Sequence, residues 1–438
     1  VSSGPSPPPP PPPPSQPTLE YSCTKGQPLA TTPTCNRSLG FKARAADLAS
    51  RLNLTDHVNL FFSYPGTPFI PSLNVKGWSL DHTCIHGLNK LRNVSLFPHE
   101  IAQGSSWDVD LVRRILNATA TEARIVSAKA YVKSKGMSLG SVLSCDGGPA
   151  AAQAHDPRWG RVSWTWGEDA FHIKQMGQAA YVGLQSPRQV VGGADDDVFL
   201  ATRATVPYYL AYHGGTGDPQ GYGSAFNATA RSLSDSYWIA YGGLLSKSAP
   251  SPADGVMCAE STLNGVPSCV DSLLLTTMLR EQWQSEAIIQ TDCCDSLGSV
   301  ESFKKIKPDV ALREYLVAGG GAYYGFDVTE YKSLMLAGLA NNTIAAAAVI
   351  AIGTRVLETE MKLGFFDQHA DDYPFANTSD ALKWDLLDGV GHRLLAAEAA
   401  AKTTVLLKNK NSVLPLNTTS AQSIAVIGAN ETLVCVEW

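Results

Sequence analysis

Short apolar runs alternate with helix-length amphipathic segments over some hundreds of residues. Met137 to Val142, Val198 to Ala211, Gly255 to Cys258 and Ala287 to Gln290 read as strands. Between and around them, Ala43 to Phe62, a long segment opening at Ser106-Trp107-Asp108, Leu233 to Lys247 and Ser272 to Trp283 carry helical spacing. Parallel strands need a crossover connection and helices supply it, so the alternation predicts a parallel α/β fold. The last strand runs through Ile288-Ile289-Gln290-Thr291 into Asp292, which places a carboxylate at a strand end. In a β/α barrel that end is the mouth, where active sites of the fold are built. Asp292 is therefore the first candidate for chemistry, beside the plainer reading of an aspartate capping the next helix.

Composition excludes several partners. The 438 residues carry a net charge of -6 with 17% charged residues, so no basic surface suggests nucleic acid or an anionic membrane. No apolar run approaches the ~20 residues that span a bilayer. No signal-peptide core lies at Val1, as a mature, processed chain would show. Nine N-x-Ser/Thr sequons, at Asn36, Asn53, Asn93, Asn117, Asn227, Asn341, Asn377, Asn417 and Asn430, point to a secretory route and N-linked glycans. The nine cysteines fit an oxidising compartment, and the expected localisation is extracellular. Cys23 with Cys35, and Cys258 with Cys269, bracket turn-rich stretches and are expected to pair locally. Cys293 and Cys294 lack a second pair at ligand spacing, so neither a metal nor any other cofactor is expected.

The first segment is of another kind. Uninterrupted prolines from Pro7 to Pro14 lack amide donors and fix φ, which predicts a stiff polyproline II arm over residues 1–20 that joins no core. Neighbouring protein chains or a sugar coat are its expected contacts. The glycines Gly319 to Gly321 are expected to form a tight βα turn rather than a phosphate cradle. Trp159, Trp164 and Trp166, clustered in one loop, suggest a platform for a sugar ring.

The ordered motifs carry a resemblance. Asp47-Leu48-Ala49-Ser50-Arg51-Leu52, His86-Gly87, Asp156-Pro157-Arg158-Trp159-Gly160-Arg161, Gly167-Glu168-Asp169, Val256-Met257-Cys258, Asn264 to Cys269, Lys362 to Asp367 and Thr404 to Asn409 together resemble the family 3 glycoside hydrolases, nearest to their β-xylosidase-like branch. The resemblance implies a (β/α)8 TIM-like barrel over residues 21–370, a linker over 371–420, and at 421–438 the first strand of an α/β/α domain that is truncated or completed by another chain. It implies retaining hydrolysis of β-glycosides, in which a carboxylate nucleophile and an acid face each other about 5 Å apart across the sugar. Asp292 matches the nucleophile. Arg161 matches a residue that grips sugar hydroxyls, for which a guanidinium is a fixed fork of donors.

Several matched positions depart from the pattern. Pro207 and Tyr208 stand where the family places a Lys-His pair, Trp164 where it has an acid, Thr83 where it has a glutamate and Glu260 where it has a tyrosine. His213, a few residues on, is the nearest stand-in for the lost pair. The family's catalytic acid usually comes from the second domain. Two functions follow. One is a catalytically silent relative acting as a structural or carbohydrate-binding glycoprotein in an extracellular assembly, which the losses favour. The other is an active β-xylosidase-like enzyme cleaving cell-wall polysaccharide.

Overall fold

The computed structural model of the chain describes residues 22–62, 70–75, 77, 83–89, 91–133, 142–189, 198–210, 212, 225–292, 296–325, 328–367, 373–375 and 384–417. The proline arm, His213 and the strand expected at 421–438 lie outside them. Instead of one opening helix there are two, α1 (Phe41–Arg51) and α2 (Leu54–Phe61). The break comes at Asn53. Its side chain accepts from the Asp56 N–H while the Asp56 carboxylate accepts from the Asn53 N–H, a reciprocal cap that starts a second helix.

Helices α3 (Glu100–Ser105) and α4 (Val109–Lys133) follow, the second begun by Asp108, whose carboxylate accepts from the Leu111 N–H at 2.9 Å. Strand β1 is Ser144–Cys145, later than the expected Met137 to Val142, of which residues 137–141 lie outside the description. Then come α5 (Ala170–Gln185), the antiparallel pair β2 (Arg188–Gln189) and β3 (Val198–Phe199), β4 (Arg203–Tyr209) and β5 (Ala225–Phe226). After them lie α6 (Ala230–Ser232), α7 (Trp238–Leu245), β6 (Gly255–Cys258), β7 (Thr262–Leu263) and β8 (Val266–Pro267). A wide π-type helix, Leu273–Gln282, leads to β9 (Ile288–Gln290). The chain continues through α8 (Ser296–Lys304), α9 (Pro308–Val317), α10 (Val328–Ala340), α11 (Ala346–Lys362) and α12 (Val390–Thr403).

Strands β1, β4, β6 and β9 pair in that order, all parallel. Parallel bridges extend the sheet at both edges. Thr83 pairs with Gly147 beyond β1, Ala322 with Gln290 beyond β9, and Tyr323 with Phe62. The spatial order thus follows the sequence order and returns to the end of α2, as in a β/α barrel. All seven residues of β4 and all of β6 and β9 are buried, as strands covered on both faces must be. Burying a side chain such as Ile289 contributes roughly 1.5–3 kcal/mol. The glycines at 319–321 form the turn from α9 into the next strand, an αβ turn and not the βα turn expected. A Cβ at Gly321 would stand 2.1 Å from the Ile289 carbonyl oxygen, so the strand approaches β9 this closely only because that residue has no side chain.

A polar layer fills one level of the barrel. Arg203, fully buried, donates to Asp146 at 2.5 Å, Ser144 at 3.0 Å and Gln290 at 2.6 Å, and Thr205 donates to the same Asp146 oxygen at 3.0 Å. A Cβ at Gly255 would fall 2.2 Å from the Arg203 guanidinium, so glycine there makes its room.

On the outside, α12 lies on α3 and α4 through charges. Arg114 donates both of its forks to Glu398, Lys402 donates to Asp108 at 2.6 Å, and buried Glu122 accepts from Ser95, the Asp388 N–H and His392. Burial pushes the Glu122 carboxyl up, but the hydrogen bonds from His392 and Ser95 outweigh it and hold it below its usual 4.5. A depressed carboxylate stabilises the contact above its unfolded pKa and loses that contribution as pH falls through the folded one. Protection of the amides at residues 388–403, read as exchange relative to the intrinsic rate at each pH, is therefore expected to be high at pH 7 and to fall as pH drops below about 4.5, more than protection in β6; an equal fall in both would show that Glu122 does not hold α12. Beyond these contacts Val390, Leu394 and Leu407 are 76%, 65% and 92% exposed. Among the described residues no helix is long and apolar enough to cross a membrane.

Candidate active site

The strand ends at one face gather the candidate residues. Asp292 follows β9, buried to 8% exposure, and its own N–H donates to Ser296 Oγ at 2.7 Å at the start of α8. The preceding Thr291 is tied to the adjacent strand, its hydroxyl donating to the Tyr324 carbonyl at 2.7 Å and accepting from the Tyr324 N–H at 2.8 Å. These bonds fix the backbone that carries the acid. Glu260 lies two residues past the end of β6, 2% exposed, which puts a second buried carboxyl on the same rim.

The loop that carries Arg161 packs over β4. Arg161 Nη1 donates to the Tyr208 hydroxyl at 2.6 Å, and its guanidinium carbon lies 5.1 Å from the Tyr208 ring, 5.4 Å from Tyr212 and 5.2 Å from Trp164. Tyr208 and Tyr212 stack at 4.6 Å with planes 10° apart. Each ring face so placed attracts the cation. Trp159 is 2% exposed and forms the wall behind the tyrosines, together with Ala150, Ala152 and Ala259. Trp166 is buried in the main core, where its ring meets Gly177. The expected three-indole platform is thereby corrected, because loop position alone does not distinguish a ring facing the mouth from one filling the core. Trp164, half-buried, keeps part of its surface open.

Disulfides join Cys23 to Cys35 and Cys258 to Cys269, as the bracketed turns suggest, with sulfurs 1.84 and 1.97 Å apart. A third, Cys84–Cys145, was not legible; its cysteines are 61 residues apart, and only the adjacency of their strands brings them within 5.3 Å at Cα. It clamps the Thr83 strand to β1 at the rim. Thr83 itself packs over Gly147, 2.8 Å from where a Cβ there would be. Cys293 and Cys294 lie outside the described residues, and among the described residues no cluster of His, Cys, Asp and Glu is arranged to hold a metal. Asn36, Asn53, Asn93, Asn227, Asn341 and Asn417 are exposed, whereas Asn117 is half-buried with its amide donating to Ser186 Oγ at 2.7 Å. Asn377 and Asn430 lie outside the description.

A parallel barrel with an acid fixed at a strand's carboxyl end and an arginine among aromatic rings on the same rim has the layout of a β/α-barrel active site. The model of the glycosyl hydrolase family 3 N terminal domain matches residues 78–321, more than half of the chain, and the chain belongs to that family. It is 28% identical over 408 residues to a xylan 1,4-beta-xylosidase of Xylanibacter ruminicola, covering 92% of this chain and 45% of that protein. It is 29% identical over 438 residues to beta-D-xylosidase 3 of Arabidopsis thaliana, covering 95% and 52%. Among solved structures, a GH3 exo-beta-xylosidase in complex with a xylobiose aziridine probe superposes with a TM-score of 0.75 at 24% identity, over 90% of this chain and 49% of that one. This last likeness bears on the fold, and it agrees with the barrel. The chain spans about half the length of the curated relatives it matches.

Proposed function

We propose that this barrel recognises β-linked cell-wall sugars at its mouth, as a secreted carbohydrate-binding glycoprotein, and holds them without appreciable turnover. The observation that carries the reading is the Tyr208 hydroxyl bound to Arg161 at the position where the family resemblance puts a Lys-His pair. Loss of one transition-state contact costs roughly 10² to 10³ in rate, and Tyr208, Trp164, Thr83 and Glu260 each replace one in that comparison. The extracellular placement is supported by three disulfides among the described residues and by the exposed sequons.

A second reading has its own support. The relatives' names are those of xylosidases, and Asp292 keeps the strand-end position of a nucleophile. In that reading Asp292 attacks the anomeric carbon of a terminal β-xyloside and the acid comes from beyond the barrel. Incubation with an aryl β-xyloside separates the two. The binding reading expects release of the phenol at the background rate from both the native protein and Asp292→Asn, with xylo-oligosaccharide retained by both. Turnover in the native protein that Asp292→Asn abolishes would overturn it in favour of the enzyme.

A further inference from the structure

Tyr208 stands at the end of β4, 3% exposed, with φ at 60°. A bulky residue adopts that left-handed backbone at a cost of about 1–3 kcal/mol, so the surrounding contacts must hold it there. Three such contacts are visible. Its ring stacks on Tyr212 at 4.6 Å, its carbonyl accepts from the Tyr241 hydroxyl at 2.7 Å, and its own hydroxyl accepts from Arg161 at 2.6 Å. Tyr241 is itself fully buried in α7, so the anchor is part of the core and not of the rim.

The consequence falls on Arg161. Its guanidinium is bordered by three ring faces at 5.1 to 5.4 Å, and one of its in-plane donors ends on a phenol oxygen. A ligand hydroxyl seeking that donor meets a neutral acceptor already in place. Exchange of one neutral hydroxyl acceptor for another on the same cationic donor gains little. We infer that Tyr208 is the residue that sets what the mouth accepts: its phenol takes the place of a ligand hydroxyl on Arg161, so that a neutral β-linked pyranoside meets this donor already engaged. The inference rests on the carbohydrate reading above and adds to it which side chain limits affinity.

The test is a calorimetric titration of the intact protein with xylotetraose. Tyr208→Phe keeps the ring, its stack and its backbone but withdraws the acceptor. It is expected to bind roughly tenfold tighter than the native protein, the scale of one hydrogen bond, with a slightly lowered melting temperature, since the ring stack and the Tyr241 bond still hold the backbone. The same substitution made in an Arg161→Met background is expected to give no gain, since the phenol then has nothing to occupy. Native binding with no gain in Tyr208→Phe, or a gain that persists without Arg161, overturns this inference and leaves the carbohydrate reading standing. Binding by neither form overturns both.

Discussion

Arg203→Ala is expected to lower stability by about 3–5 kcal/mol and to leave much of the protein unfolded at 37 °C, read as a large fall in the thermal midpoint. The side chain is fully buried and its donors serve Asp146, Ser144 and Gln290 at once. Truncation takes the cation from the buried Asp146 carboxylate, 3% exposed, and opens a void in the middle of the ring. Replacement of the pair together, as Arg203→Met with Asp146→Leu, removes both charges and is expected to recover most of the loss. A double variant as unstable as the single one would show that packing volume, and not the uncompensated charge, governs this layer.

Arg124→Ala is the second large effect, expected at about 3–5 kcal/mol. This arginine, on α4, is buried away from solvent and donates to the carbonyls of Leu200, Ala201 and Leu363 and to the Tyr373 hydroxyl, with the Phe375 ring 4.6 Å from its guanidinium carbon. One side chain thereby ties the turn before β4 to the end of α11. Without it three carbonyls lose a donor in a place water reaches poorly. Arg124→Lys keeps the charge but a single ammonium cannot reproduce the fork, so it is expected to restore only a minor part. Equal stability of the lysine and native forms in chemical denaturation would refute the fork argument.

Much of this architecture was legible in the sequence, for physical reasons that differ by element. Gly255 to Cys258 appears as a strand at its expected limits because a central parallel strand must be apolar on both faces. The place of Asp292 was legible for the same reason, as the polar end of such a run. The break at Asn53 was missed although its signal was present: Asn53 and Asp56 stand at the spacing of a reciprocal cap inside an otherwise continuous helical pattern. Long-range meetings left no local trace. Nothing near Cys84 points to Cys145, and nothing near Arg44 announces that it will meet Asp367 through two hydrogen bonds at 3.0 Å. At the rim, the sequence revealed that a proline and a tyrosine replace the family's pair. It did not reveal that the tyrosine turns back onto Arg161, because that depends on one residue's φ and on the ring of Tyr212 beneath it.

The parallel tyrosine rings at the rim also give the protein an optical handle. Two stacked phenols with nearly parallel planes, a cation over their faces and an indole alongside form a chiral chromophore whose near-ultraviolet dichroism depends on that fixed arrangement. The arrangement of the mouth thus contributes to the protein's own dichroism, and the difference between the native spectrum and that of a Tyr212→Leu variant isolates its share without a dye or a label.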